Sequence, residues 1–261
     1  MTGLRGKVAI VTGAAGGLGR ASAMLLADRG AQVLCVDRAP EVIDTAGLIA
    51  ARGGRADAVQ TDCASEKGVA AFVAQAMRDF GRLDILHANA GVSGPLNPGF
   101  DEDGASFAEV LRVNLIGPWL AIRAAVPKMR PGGAIVCTAS VAGLRAGAGC
   151  VSYSASKAGL ISLVQVTAQL LAGTGIRINA VAPGLVETGM TAPLFDAARA
   201  RGREGRIGQL NPLRRAGEPV EIAEVVAFLA SDAAGYVNGQ VLAADGGLSS
   251  SLPIAPRPAG G

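Results

Sequence analysis

Aromatic side chains are scarce, at 3% of the 261 residues. Val, Ile, Leu and Ala must therefore fill any core, which suits a parallel sheet covered by helices on both faces. There is a single histidine, His87, so a histidine-based metal site or a Ser-His-Asp triad has little to draw on. His87 ends the strand-like run LDILHA and reads as a packed residue. The four cysteines, Cys35, Cys63, Cys137 and Cys150, form no Cys-x-x-Cys pair and no metal-ligand spacing. Three of them are expected in apolar, strand-like surroundings as buried free thiols, and no metal site is expected. Charge is sparse as well: 17% of residues, with a net charge of +3. The concentrated basic footprint of a nucleic-acid binder is missing. No stretch of membrane-spanning length is free of Gly, Pro or charge, and the N-terminus shows no signal-peptide pattern. The expectation is a soluble cytoplasmic protein with no nucleic-acid or membrane partner.

What is present is an alternation of short apolar runs and helix-length segments. The strand-like runs are Lys7–Thr12, Gln32–Asp37, Ala56–Gln60, Leu83–Ala88, Ala134–Ala139, Arg177–Ala182 and Gln240–Ala244. The helical segments are Leu18–Arg29, Glu41–Arg52, Glu66–Phe80, Ala105–Met129, Tyr153–Ala172 and Val220–Leu229. Such alternation predicts right-handed crossovers and a Rossmann-type, doubly wound parallel sheet in one α/β domain over residues 1–250. Residues 186–219 interrupt the pattern with no strand, and PLFDAARARGREGR reads there as a short Arg-rich helix. An insertion at the C-terminal edge of such a sheet reads as a substrate lid. Asp196 and Glu204 interleave with its arginines, so a solvated helix face is the preferred reading over an anion site. Residues 251–261 form a Pro-containing tail, expected to be disordered or packed on a neighbouring subunit.

VTGAAGGLGRA joins the first strand to the first helix. Gly13 suits a tight strand-to-helix turn. Gly17 would let backbone approach a pyrophosphate at the helix N-terminus, and Gly19 would let helix and sheet pack closely. The spacing is neither the G-x-G-x-x-G fingerprint nor a triphosphate-binding loop. A purely structural turn explains the glycines equally well until Asp37 is considered. That carboxylate ends the second strand, where it can accept hydrogen bonds from an adenosine ribose. Farther on, YSASK places Tyr153 four residues before Lys157, on one helix face. A phenol with a pKa near ~10 is a poor base at neutral pH unless a cation favours its ionised form.

In this order and spacing, the motifs TGAAGGLG, ANAG, VNLIG, TAS, YSASK, Pro183–Gly184 and DGG resemble the short-chain dehydrogenase/reductase family from Leu4 to about Leu248. PLRRAGEP is also similar to a segment common in that family. The resemblance implies Tyr153 as general acid/base, with Lys157 binding the nicotinamide ribose and lowering the Tyr pKa. It implies Ser140 as hydrogen-bond donor to the substrate oxygen and Asn114 as holder of a proton-relay water. It further implies cofactor contacts from Gly13, Ala15, Gly17, Leu18, Asp37, Asp62, Cys63, Asn89, Gly91, Tyr153, Lys157, Pro183, Gly184, Val186 and Thr188. Asp62 and Cys63 would meet the adenine, and Val186 and Thr188 the carboxamide. His87-Ala88 departs from the family pattern before Asn89. Ser140 could instead simply cap a strand end, and Asn114 could be a helix hydrogen-bonder.

The expected function is hydride transfer between NAD(H) and a secondary alcohol or ketone, in a homotetramer joined through its long apolar helices. Asp37 argues for NAD over NADP, with Arg38 the complication. Val141, Leu144, Val186, Met190, Leu194 and Phe195 are expected to wall an apolar substrate pocket. Two alternatives remain at this point, an NADPH-dependent 3-oxoacyl-thioester reductase and a non-catalytic cofactor-binding protein.

Overall fold

The computed structural model describes residues 3–95 and 99–252. Among these residues seven strands form one sheet: β1 (Val8–Thr12), β2 (Gln32–Asp37), β3 (Ala56–Gln60), β4 (Leu83–Ala88), β5 (Met129–Thr138), β6 (Arg177–Pro183) and β7 (Val241–Ala244). Their spatial order is β3-β2-β1-β4-β5-β6-β7, and every pairing is parallel. The direction of winding therefore reverses between β1 and β4. Parallel neighbours need crossovers, and helices supply them: α1 (Gly17–Asp28), α2 (Val42–Ala51), α3 (Glu66–Phe80), α4 (Gly104–Leu111), α5 (Gly117–Ala125), α6 (Val151–Leu170), α7 (Ala192–Ala200) and α8 (Pro219–Ala230).

The period-2 alternation of the strands divides the core into two layers. Ile10, Leu34, Leu86 and Ile135 face Phe72 of α3 and Leu160 of α6. Their sequence neighbours Val11, Val33, Ile85 and Val136 face Leu26 of α1 and Val226 of α8. Phe72 is fully buried, and truncating such a residue to Ala costs about 3–5 kcal/mol. Local signals set the helix ends. The Ser65 hydroxyl accepts from the Gly68 N–H at the start of α3, and Gly81 closes that helix at φ +75, a conformation that glycine tolerates best. Glu218 and Glu221 form a reciprocal capping box on α8, with Pro219 at its first turn. The Glu102 carboxylate accepts from Ser152 and so ties the loop before α4 to the start of α6.

Three expectations need correction. The segment expected as one helix over Ala105–Met129 is a helical run ending at Lys128, interrupted by a π-helical turn at Arg112–Ile116. Pro118 lacks the N–H that would bond the Asn114 carbonyl four residues back, and the Gly117 N–H reaches five residues back to Arg112. This run is long and apolar enough to cross a membrane by length and composition, but it packs against α3, α6 and β4. Second, β5 begins at Met129 rather than Ala134, through a register shift opposite Leu83–Ile85. The residues involved, Arg130-Pro131-Gly132-Gly133, carry no apolar alternation to announce a strand. Third, two cysteines rather than three lie in strands: Cys35 and Cys137 are buried there, while Cys63 follows β3 and Cys150 precedes α6, both half-buried. All four are free thiols. Of the 251–261 tail, residues 253–261 lie outside the described residues.

Candidate active site

Gly13 holds the first turn at φ +70, and a Cβ there would stand 2.8 Å from the Ala90 Cα. A Cβ on Gly19 would fall 2.0 Å from the Gly13 carbonyl oxygen, so α1 can approach the turn only without a side chain at that point. Gly17, at φ +51, faces Thr188 across the cleft. The first turn of α1 carries no acidic side chain, which leaves an anion-favouring N-terminus beside the strand ends. Asn89 and Thr12 brace this turn. The Asn89 amide donates to the Thr12 carbonyl at 3.0 Å, and the Asn89 and Ala90 N–H groups donate to the Thr12 hydroxyl at 3.0 and 3.1 Å. The Asp37 carboxylate accepts from the Ala15 and Ala39 N–H groups, each at 3.0 Å.

Across the reversal point, α6 brings Tyr153 and Lys157 to the ends of β4 and β5. Lys157 is 3% exposed, and its Nζ donates to the Thr138 carbonyl at 2.7 Å. Burial lowers its pKa to about 8, with the nearby Cys137 opposing. Burial likewise raises the Tyr153 phenol above its ordinary 10, while a hydrogen bond with the Ser140 hydroxyl pulls the other way. Ser140 also accepts from the Ala142 N–H at 3.1 Å, so it caps the strand end as well as facing the cleft. Asn114 sits on the π-helical turn, fully buried. Its side chain accepts from the Val92 N–H at 2.8 Å and donates to the Val92 carbonyl at 2.9 Å and to the Ser156 hydroxyl at 3.1 Å. A Cβ on Gly91 would stand 3.1 Å from Asn114 Oδ1 and 3.5 Å from Lys157 Nζ.

Most of these groups open on one cleft of about 350 Å³. Of the residues singled out in the sequence, Gly13, Gly17, Leu18, Asp37, Asp62, Cys63, Asn89, Gly91, Ser140, Tyr153, Lys157, Pro183, Gly184, Val186 and Thr188 line it. Ala15 and Asn114 do not. Ala15 acts through its N–H on Asp37, and Asn114 lies one layer behind. Of the six residues expected to wall a substrate pocket, Val186 and Met190 line the cleft, together with Val92 and Val113. Val141 and Phe195 are buried elsewhere, and Leu144 and Leu194 are largely exposed.

Comparison with known proteins decides the lineage. Residues 13–249 match the family model described as enoyl-(acyl carrier protein) reductase. The chain is 43% identical over 243 residues to cis-4-hydroxycyclohexanecarboxylate dehydrogenase of Sinomonas cyclohexanicum, covering 92% of this chain and 96% of that one. It is 39% identical over 251 residues to 3-oxoacyl-[acyl-carrier-protein] reductase of Thermotoga maritima, covering 94% and 98%. The crystal structure of a levodione reductase superposes with a TM-score of 0.89 at 36% identity, covering 95% of this chain and 99% of that one. The chain belongs to the short-chain dehydrogenase/reductase family. It is an oxidoreductase that exchanges a hydride between a nicotinamide cofactor and a secondary alcohol or ketone.

One residue of this dehydrogenase/reductase site, Thr138, was not singled out in the sequence. Thr138 joins both halves. Its carbonyl holds Lys157, while its hydroxyl donates to Asn89 Oδ1 at 3.0 Å and meets His87 Nε2 at 2.9 Å. With that hydroxyl proton committed to Asn89, the hydroxyl oxygen must accept from His87 Nε2–H. Burial pushes the imidazole pKa down to about 3, so His87 is packed and neutral, as expected. Thr138 stands two residues before Ser140 in TAS, and only the serine drew attention. In the protein by itself Lys157 bonds the Thr138 carbonyl, and burial is the largest influence on the Tyr153 pKa. In the 186–219 segment, Arg215 pairs with Glu221 at 2.5 Å. Arg199 pairs with Glu187 and, at 3.2 Å, with Asp196.

Proposed function

We propose that this enzyme is an NAD(H)-dependent dehydrogenase/reductase for neutral, largely apolar cyclic secondary alcohols and their ketones. One observation carries this reading: Ser140, Tyr153 and Lys157 converge on the same cleft as the glycine turn and Asp37. The residues fit a dinucleotide. Gly13 and Gly91 line the cleft without side chains, and the α1 N-terminus offers unpaired N–H groups where a pyrophosphate needs them. The bound nicotinamide supplies the hydride chemistry. In alcohol oxidation Tyr153 takes the hydroxyl proton at its phenol oxygen, and in ketone reduction it returns a proton there. Ser140 donates a hydrogen bond to the substrate oxygen as charge develops. Lys157 orients the nicotinamide ribose, and its positive charge favours the tyrosinate. The Asn114 carbonyl, whose usual helical donor is replaced by Pro118, is offered to a proton-relay water. The segment 186–219, whose ends are tied by the Val186–Gly217 bridge, acts as a lid over the substrate.

The preference for NAD rests on Asp37. Two backbone N–H groups fix its carboxylate in the cleft, where a ribose 2′-phosphate would meet a like charge. At ~4 Å and an effective dielectric of ~20, such a pair repels by ~4 kcal/mol, and even a third of that gives about tenfold discrimination. Arg38 also lines the cleft and opposes this preference. Steady-state kcat/KM with each cofactor decides the matter. A tenfold or greater preference for NAD that narrows in Asp37→Ala is expected, and equal values or a preference for NADP would mean that Arg38 prevails.

A second reading, an acyl-thioester reductase, is favoured by the acyl-carrier description of the matching family model and by the Thermotoga relative. Turnover of a 3-oxoacyl thioester well above that of simple cyclic ketones would establish it instead.

A further inference from the structure

Arg112 occupies an unusual place. It opens the π-helical turn that carries Asn114, yet its guanidinium reaches away from the Asn114 site toward the far end of the cleft. Nη1 donates to Asp62 Oδ2 at 2.9 Å and to the Ala64 carbonyl at 3.0 Å. Nε and Nη2 grip Glu109 at 2.6 and 2.8 Å. Asp62 Oδ1 accepts from the Ala64 N–H at 2.8 Å. Both carboxylate oxygens are thus anchored, one by backbone and one by Arg112, and the carboxylate plane is fixed. Asp62 lines the cleft together with Cys63 and Arg38, whereas Arg112 does not reach it. Gly117 completes the arrangement. A Cβ there would stand 3.1 Å from the Ala64 Cβ and 3.3 Å from the Cys63 carbonyl oxygen, so its absence lets the 62–64 loop seat directly on the helical run.

We infer that Arg112 is a positioning residue that sets cofactor specificity at the purine, by holding Asp62 so that its carboxylate accepts from a 6-amino group and rejects a 6-oxo group. The inference rests on the nicotinamide-dinucleotide reading of the cleft. An ionised carboxylate only accepts hydrogen bonds. It matches an exocyclic amino group and faces a carbonyl oxygen with repulsion, provided it cannot turn aside. Asp62 stays ionised at working pH: burial raises its pKa, but the Ala64 N–H and the Arg112 guanidinium more than offset that and hold it below the ordinary carboxylate value. A bidentate grip on Glu109 fixes the guanidinium that holds Asp62, which Lys could not reproduce, because Lys brings a point charge rather than a planar fork.

The test compares NAD with its hypoxanthine analogue, by calorimetric binding and by KM and kcat, in wild type, Arg112→Ala, Arg112→Lys and Asp62→Ala. Arg123→Ala is the control, since it removes a nearby exposed ion pair, from α5 to Glu66 of α3, without touching Asp62. The wild type should favour NAD by about tenfold, the worth of one charge-assisted hydrogen bond. Arg112→Ala should lose most of that ratio, as Asp62→Ala does. Arg112→Lys should fall between them, and Arg123→Ala should keep the ratio. The change should appear in dissociation constants and KM more than in kcat. A merely structural role would weaken both cofactors equally and preserve the ratio, and that result would overturn the inference. If Arg112→Ala does not fold, Arg112→Lys with an unchanged ratio would overturn it equally. Wild type that binds neither dinucleotide would bring down the cofactor reading itself, a different failure from a preserved ratio in an enzyme that binds both.

Discussion

Lys157 Nζ donates to the Thr138 carbonyl oxygen at 2.7 Å and stands 5.6 Å from the centre of the Tyr153 ring. The ammonium is therefore anchored to the sheet beside the phenol. Its burial also has a thermodynamic consequence. The folded-state pKa is lowered from 10.5 to about 8, so between those values the unfolded chain holds a proton that the folded chain has released. Stability contributed by this group rises with pH across that window, by up to about 3 kcal/mol. Urea denaturation of wild type and Lys157→Met at pH 7.5 and 9.5 checks it. The stability of the wild type relative to the variant should improve at the higher pH, and NAD binding should be weaker in the variant. An unchanged difference between the two pH values would contradict the linkage.

Tyr153→Phe removes one oxygen from a half-buried ring and leaves Lys157 and the glycine turn in place. Cofactor binding should persist while kcat falls by about 10²–10⁴, the usual worth of a positioned acid/base. Stopped-assay turnover together with calorimetric NAD binding separates the two effects, and wild-type turnover in the variant would remove Tyr153 from its proposed role.

His87 sets the behaviour in mild acid. Burial lowers its pKa from 6.5 to about 3, so below pH 6.5 the unfolded state takes up a proton that the folded state refuses. The stability this provides is complete above pH 6.5 and is lost as pH falls toward 3, amounting to about 2 kcal/mol by pH 5. Because His87 is the sole histidine, the slope between pH 6.5 and 5 should flatten in His87→Gln, whose amide nitrogen takes the place of Nε2 toward the Thr138 hydroxyl. Parallel denaturation curves for the two proteins over that range would show that another group is responsible.

The parallel sheet and most of the cleft were legible in the sequence because both write locally. Val11 and Ile10 alternate between two buried layers, and each crossover helix spans a length set by the strands it joins. The glycine turn and the Tyr153–Lys157 spacing are likewise fixed by short-range geometry. The π-helical turn was not legible, although its cause, Pro118, was present. A proline near the start of a helix is ordinary, and only its place four residues after Asn114 gives it meaning. The Thr138 relay was hidden for a different reason. It joins β1, β4 and β5 side by side, and its partners His87 and Asn89 lie 51 and 49 residues away in the chain. Leu144 and Leu194 misled because apolar character in a flanking segment does not fix the direction of a side chain.

A second copy of the chain should cover the outer face of α6. Val151, Val166 and Leu170 are 57%, 56% and 68% exposed there, and Ile116 and Trp119 stand out on the adjacent helical run. Apolar side chains in such numbers on one helix pair favour association, and a homotetramer is the expected state. Light scattering at assay concentration measures it directly, and Val166→Asp with Leu170→Asp should shift the mass toward a smaller species. A monomeric wild type would rule the association out.

The substrate end of the cleft should discriminate against charge. Val92, Val113, Val186 and Met190 line the cleft, and among the described residues its only cationic side chains are Arg38 and Lys157. Arg38 follows Asp37 at the ribose end, while Lys157 is buried against the Thr138 carbonyl. Arg199 of α7 is held by Glu187 and Asp196. A carboxylate on the substrate ring would thus be desolvated without a partner, which costs several kcal/mol unless water follows it in. Cyclohexanol should therefore exceed cis-4-hydroxycyclohexanecarboxylate in kcat/KM by about tenfold or more, although the Sinomonas relative is named for the acid. The difference should lie largely in KM, since the reacting carbon and its proton path are the same in both. Higher kcat/KM for the carboxylate would mean that an arginine of the lid turns inward to meet it, and replacing Arg199 by Ala would then be expected to abolish that preference.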